Sequence, residues 1–327
     1  MRANIDRANW RVKRSSQDDS NKSELELATR FDGHDIRPES RLAYIDTLVF
    51  VLPPTGLPEH CRAWLDRHQP RLRTEWLPMR GEGELWLYHP ISPEVAEYMA
   101  RLMSRTPGLR QRRVDVALDL IFATEGEKDR ARRIFDTYSV VPRCRTKPTR
   151  ERHGTTYAKK KRMDHNLVIY SDRDCRVTGE VNCIHIEARL KGGAIERHRV
   201  TLTDITRGLD LRSFWRERVR MAWVEDRQRL GRMWSNANSG QRRRKSIITT
   251  SGRRGTFRYD HDTSAGNMIT NIYRTTQELI TQLRKRGINP RDALREIDTT
   301  HLLPTPDEKD EQNQRFWERN TGMRHIS

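Results

Sequence analysis

Two runs of strand-type sequence on either side of a cationic tip constrain this chain more than any other feature. Gly154-Thr155-Thr156-Tyr157 leads into Lys159-Lys160-Lys161-Arg162, and Asn166-Leu167-Val168-Ile169-Tyr170 follows. β-Branched and aromatic residues flanking a short polar tip read as a hairpin. A third run, CIHIEARLKG over 183–192, comes soon after, and an earlier one, RVDVALD over 113–119, belongs with them. Strands place alternate side chains on one face. Asp115 and Asp119 therefore point the same way, and Glu187 and Arg189 share a face opposite Ile184 and Ile186.

The rest of the chain interleaves helices with strands. Residues 41–52 (RLAYIDTLVFVL) form an apolar, β-branched run that Pro53-Pro54 stops, and 84–88 (ELWLY) and 112–122 are further strands. Residues 58–67 read as a short helix. Ser92-Pro93-Glu94 opens a second helix as N-cap and first-turn proline. Residues 125–138 form a third helix, with Ala131, Ile134 and Phe135 inward, and 209–224 a fourth. The hairpin at 154–171 and the strand at 182–191 run together. The expected fold is α+β, an antiparallel sheet with helices packed on one face, plus a small helical C-terminal part. Residues 1–40 read as a polar arm, 41–225 as the main domain, and 226–264 as a basic linker that contacts nucleic acid. Residues 265–303 read as a helical region and 304–327 as a polar tail. Within 265–303, residues 267–286 are amphipathic and capped by Gly287, and a short helix runs from Asn289-Pro290 to Ile297.

Charge narrows the class of partner. The net charge is +18, with 34% hydrophobic and 33% charged residues. Residues 143–162 carry nine Lys/Arg against one acid, and 227–258 carry ten and none, which accounts for the whole excess. Basicity concentrated in two blocks implies a polyanion partner, with solvated loops as the plainer reading. No apolar run reaches the ~18 residues of a membrane span, and the polar N-terminus has no hydrophobic signal core. The four cysteines have no CxxC spacing and read as free thiols of a cytoplasmic protein. No GxxxxGK[ST] loop is present, so no ATPase is expected.

At these residues the chain resembles the replication initiation proteins of rolling-circle plasmids and filamentous phages. Four patterns carry the resemblance over about residues 42–235. They are the strand Tyr44-Ile45-Asp46-Thr47-Leu48-Val49-Phe50, an R-x-D-x-x-x-D strand at Arg113, Asp115 and Asp119, the Tyr-containing hairpin from Thr155 to Arg173, and a strand with His185, Glu187, Leu190 and Lys191. The L-D-x-x-x-F-W-x-x-R stretch within 204–231 is also similar to the family's following segment. There are departures. Ala158-Lys159 stands where the family has glycine after the hairpin's first tyrosine, Tyr170-Ser171-Asp172-Arg173 replaces Tyr-Glu-Lys, and His185 stands where arginine is frequent.

The resemblance implies an origin-binding enzyme that nicks and rejoins one DNA strand through a tyrosine–5′-phosphate intermediate, with Mg²⁺ or Mn²⁺. It further implies single- and double-stranded DNA as partners, a separate host helicase, and compatibility with a homodimer. The alternative is a DNA-binding repressor or inactive relative. Asp115, Asp119 and Glu187 are the expected metal ligands, against a buried ion pair of Asp115 or Glu187 with Arg113 or Arg189. Tyr170 is the preferred nucleophile and Tyr157 its rival, with Arg173 as the activating cation. A core tyrosine is the competing reading of Tyr170. Phosphate-gripping cations are expected at Lys159, Lys160, Lys161, Arg162, Arg189 and Lys191 on the hairpin and its neighbour strand. A further set is Arg242, Arg243, Arg244, Lys245, Arg253 and Arg254 in the second block. The isolated histidines His153, His165 and His185 form no HxH pair, which argues against the nicking class that uses one; His185 remains a candidate for metal or acid–base work, with a structural strand histidine as the plainer reading.

Overall fold

Residue 46 interrupts the longest strand of the protein, and that interruption organises the sheet. Strand β1 (Ser40–Leu52) pairs antiparallel with β4 (Arg110–Ile121), with Ile45 opposite Val116 but Thr47 opposite Asp115. Asp46 is the extra residue of a bulge, which leaves one residue unpaired and reverses the alternation beyond it. Before the bulge, Leu42 and Tyr44 share a face with Asp119 and Ala117. After it, Leu48 and Phe50, both fully buried, turn to the opposite face.

The computed structural model describes residues 36–77, 81–89, 91–140, 149–150, 155–157, 164–246 and 275–305, with backbone alone at 149–150 and 238–246. All of them belong to one unit, Ile36–Ser327. Eight strands form one sheet in the order β2-β3-β1-β4-β8-β7-β6-β5. The remaining strands of this sheet are β2 (Leu72–Leu77), β3 (Glu82–Tyr88), β5 (Thr149–Arg150), β6 (Thr156–Tyr157), β7 (His165–Tyr170) and β8 (Cys183–Lys191). Every pairing is antiparallel, so the α+β architecture matches the sequence expectation.

Helices cover the face of the sheet that carries Val114, Val116, Leu118 and Leu120, all without exposure. Helix α1 (Glu59–His68) and helix α2 (Pro93–Arg105) meet through stacked Trp64 and Tyr98, ring centroids 3.9 Å apart. Ser92 accepts a bond from Val95 N at 3.0 Å and Pro93 fills the first turn, as its sequence implies. Helix α3 (Glu125–Tyr138) starts with a capping box between Thr124 and Glu127, and its Arg132 reaches Thr156 on β6. Helices α4 (Gly193–Arg197) and α5 (Leu202–Thr206) follow β8, and Leu202 N donates to Gln111 Oε1 at 3.0 Å. Fully buried Trp215 on α6 (Leu211–Arg216) donates its indole N–H to Ala117 O at 3.0 Å, tying the helix to the sheet centre.

Three elements differ from the sequence reading. The helix expected over 209–224 ends at Arg216, and Met221–Trp223 forms β9, which pairs with β10 (Arg295–Ile297). The β9 pairing buries Met221 and Ala222 against the C-terminal part, and this tertiary pairing overrides the helical spacing. For the same reason the helix expected at 289–297 is a 3₁₀ turn, Pro290–Asp292, followed by β10. The linker expected at 226–264 starts as a helix, α7 (Arg227–Ser246), whose Leu230 packs with Leu279 and Leu283 of α8 (Thr276–Lys285). The 1–35 part of the arm, residues 247–274 and the tail beyond 305 lie outside the described residues.

Candidate metal and nucleic-acid site

The face of the sheet opposite the helices carries the charged residues. Pairing of β4 with β8 sets Asp115 against Arg189, Ala117 against Glu187 and Asp119 against His185. Pairing of β8 with β7 sets Glu187 against Val168 and His185 against Tyr170, and β6 adds Tyr157 opposite Val168. Directly opposed residues point to the same side, so Asp115, Asp119, His185, Glu187, Arg189, Tyr170 and Tyr157 share one face. The connection from β7 to β8 folds back over this face and brings in Cys175 and Arg176.

Three carboxylates meet at its centre. One oxygen each of Asp46, Asp115 and Glu187 lie within 4.8 Å of one another, and the three residues are 2%, 1% and 3% exposed. Three guanidiniums rim them. Arg113 Nε donates to Asp115 Oδ1 at 2.7 Å, Arg189 Nε to Glu187 Oε1 at 2.8 Å, and Arg176 Nη1 to Asp46 Oδ1 at 2.7 Å. The arginines are the outer layer, with side chains 16%, 23% and 33% exposed.

At two of the three carboxylates burial outweighs the paired arginine. Burial and the Glu187 charge push the Asp115 carboxyl well above the usual carboxylate range, more than Arg113 offsets. Burial also raises Asp46, against the pull of Arg176. Burial would raise Glu187 too, but the Arg189 bond and charge outweigh it and hold Glu187 below that range. Oxygen donors crowded beyond what their own cations satisfy are the donor set of a hard divalent cation. Asp46, Asp115 and Glu187 therefore fit a hard divalent cation.

Asp119 does not join them, which corrects the expected ligand set. A strand rises ~3.3 Å per residue, so residues four apart on one face lie roughly 13 Å apart along it. Asp119 instead accepts from Tyr44 Oη at 3.0 Å, from Cys175 Sγ at 3.1 Å, and pairs with His185 Nδ1 at 2.5 Å. With Cys175 and Cys183 it forms a second buried group, and Cys61, Cys175 and Cys183 are free thiols. Asp46 takes the place expected for Asp119. The sequence reading names it in a strand motif without a ligand's role, because alternation alone does not reveal which partner strand it faces.

The two tyrosines flank Arg189. Tyr170 is 2% exposed, its hydroxyl accepts from Arg189 Nη2, and Arg173 lies over its ring at 3.9 Å. Burial and Glu187 raise its phenol above the ordinary value, more than Arg189 and Arg173 lower it. Tyr157 is half-buried on β6, between β7 and the edge strand β5, in the row of Val168 and Glu187, with Arg189 at 6.0 Å from its ring centre. Lys191 pairs with Arg113 across the ladder and is half-buried. Lys159, Lys160, Lys161, Arg162, Arg253 and Arg254 lie outside the described residues. Arg242, Arg243, Arg244 and Lys245 fall on α7, so the backbone there is helical rather than a loop.

No protein-family model matches the sequence, and no curated protein matches it. Among solved structures, the chain is similar to a rolling circle replication initiator protein from Geobacillus stearothermophilus. The identity is 13%, the match covers 51% of this chain and 80% of that one, and the TM-score is 0.30. A likeness at that level bears on neither the chemistry nor the residues of the site. Among the described residues, no helix is long and apolar enough to cross a membrane.

Proposed function

We propose that the open sheet face is a divalent-cation site for nicking and rejoining a DNA strand, as in replication initiation by the rolling-circle mode. The observation that carries this reading is the convergence of Asp46, Asp115 and Glu187 beneath three half-exposed or rim-lying arginines, with a phenol beside them. A divalent cation on the three carboxylates supplies charge stabilisation at a phosphate oxygen. With their carboxylates so occupied, Arg113 and Arg176 are free to turn to phosphate, where the planar fork of guanidinium bonds two oxygens. The blocks at 143–162 and 227–258 supply further Lys and Arg for the phosphates of a longer strand.

Tyr157 is the better attacking phenol. An attacking oxygen has to reach the phosphorus, and Tyr157 has the exposure that Tyr170 lacks. Tyr170, with its hydroxyl on Arg189, holds that guanidinium against Glu187. This inverts the order of preference drawn from the sequence. Attack transfers the phosphate to the phenol and releases a 3′ hydroxyl, which can later reverse the reaction.

The test is incubation of the protein with supercoiled and single-stranded DNA in Mn²⁺ or Mg²⁺. Nicked product and a peptide–nucleotide adduct, located by mass spectrometry, support the reading. A second reading rests on the same ion pairs: each carboxylate already has its arginine, as in a structural network of a DNA-binding protein that cuts nothing. Tight, salt-dependent DNA binding with no nick in either metal selects it.

A further inference from the structure

His185 is the buried group that the three-carboxylate site leaves unexplained. Its ring is 2% exposed at the centre of the sheet. Nδ1 is fixed on Asp119 Oδ1 at 2.5 Å. Nε2, on the other side of the ring, is buried and has no hydrogen-bond partner among the described residues. It lies 4.0 Å from Glu187 Oε2, at the edge of the group in which Asp46, Asp115 and Glu187 come within 4.8 Å of one another. A buried, unpaired ring nitrogen costs free energy unless something bonds it. Two ligands on one ion, each at ~2.1 Å, lie at most about 4.2 Å apart, so Nε2 is within that span of Glu187, and sharing the ion with Asp46 and Asp115 requires these groups to draw together when it binds.

We infer that His185 Nε2 is a fourth ligand of the cation held by Asp46, Asp115 and Glu187, and that Asp119 is a positioning residue acting through His185. The inference rests on the metal reading of the proposed function. Asp119 accepts the Nδ1 proton and so leaves Nε2 with its lone pair toward the carboxylates, the carboxylate–histidine–metal arrangement seen where imidazole binds a metal. Tyr44 and Cys175 hold Asp119 from behind, which fixes the ring's direction. A site of three carboxylates and an imidazole favours a transition-metal dication over Mg²⁺, because imidazole suits the former and carboxylate or water the latter. Mn²⁺ is the ion of that class that carboxylates also accept.

The test uses the full chain and Mn²⁺ alone. Pulsed electron paramagnetic resonance of bound Mn²⁺ detects a directly coordinated ¹⁴N, and titration of the free-ion signal gives the affinity. The expected result is a ¹⁴N modulation in the wild type that disappears in His185→Gln, with Mn²⁺ affinity down at least about tenfold and Mg²⁺ affinity changed less. Asp119→Asn should keep the ¹⁴N modulation while weakening Mn²⁺ about 10- to 100-fold. Mn²⁺ bound to the wild type without ¹⁴N modulation, or with a modulation that survives in His185→Gln, overturns the histidine's role and leaves the carboxylate site standing. A wild-type protein that binds no Mn²⁺ overturns both. The wild-type spectrum decides the matter even if a variant fails to fold.

Discussion

Asp46→Asn separates the cation's requirement for Asp46 from the fold's requirement for it. Asparagine keeps an oxygen for Arg176, now 2.7 Å away, and keeps a polar atom for Thr47 Oγ1 at 2.9 Å. Arg176 is one-third exposed, so the lost charge assistance there is screened. The apo variant should lose no more than about 1 kcal/mol. Metal binding is another matter, because affinity for hard cations follows the number of charged ligands. A ligand at one hundred times its dissociation constant stabilises the folded state by about 2.7 kcal/mol. For a domain of this size that is roughly 5–11 °C in melting temperature, at about 2–4 °C per kcal/mol. If the variant binds a hundredfold more weakly, the same Mn²⁺ leaves about 0.4 kcal/mol, or roughly 1–2 °C. The assay is thermal unfolding of both proteins with and without saturating Mn²⁺, with Ca²⁺-free buffer and chelator as reference. A wild-type melting temperature that ignores Mn²⁺ refutes the cation site. A variant that shifts as far as the wild type removes Asp46 from it.

Other outcomes follow from the same geometry. Tyr157→Phe should abolish the covalent protein–DNA adduct on denaturing gels, whereas Tyr170→Phe should retain it at a lower rate, and the reverse pattern would return the attack to Tyr170. Replacing Arg242, Arg243, Arg244 and Lys245 together by alanine should flatten the log–log salt dependence of DNA binding by up to about four; an unchanged slope would show this block idle. Glu187→Gln should cost about 1–3 kcal/mol in chemical denaturation, more than Asp46→Asn, because it removes the charge that faces Arg189 and weakens the hold on Arg113. Trp215→Phe should lower stability by about 1–3 kcal/mol through loss of the bond to Ala117 O and the packing around it, read as a shift in denaturant midpoint.

Local pattern carried the frame of the molecule. Alternation over 113–119 and 183–192 placed the right residues on one face, because period two survives in strands that pair without interruption. Helix α2 was legible from its cap, and helix α3 from the spacing of Ala131, Ile134 and Phe135. Strand β2 was missed: LRTEWL lies at the sheet edge, with only half-buried and exposed residues and little alternation to read. The breaks after Arg216 and at 290–297 were missed because β9 and β10 stabilise each other across some seventy positions, a pairing invisible in either segment alone. In the site, alternation named Asp115 and Asp119 together but carries no information on distance, so it could not tell one cation's ligands from two separate groups. Asp46 needed the bulge to be found, and the direction of the His185 ring needed the Asp119 bond behind it.

The extra residue in β1 makes the strand's phase a matter of counting. Ahead of it, even-numbered positions look to the carboxylates; past it, even-numbered positions such as Leu48 and Phe50 look to the helices. A ladder of unbroken phase would have to choose, placing either Asp46 away from its partners or two of the largest buried side chains in water. One strand thus serves two environments that a regular repeat cannot serve together. Removing a single residue between 45 and 48 would leave the composition almost untouched yet exchange inside for outside along half the strand. Substitutions in this segment should therefore be graded by chemistry, while insertions and deletions should be all or nothing.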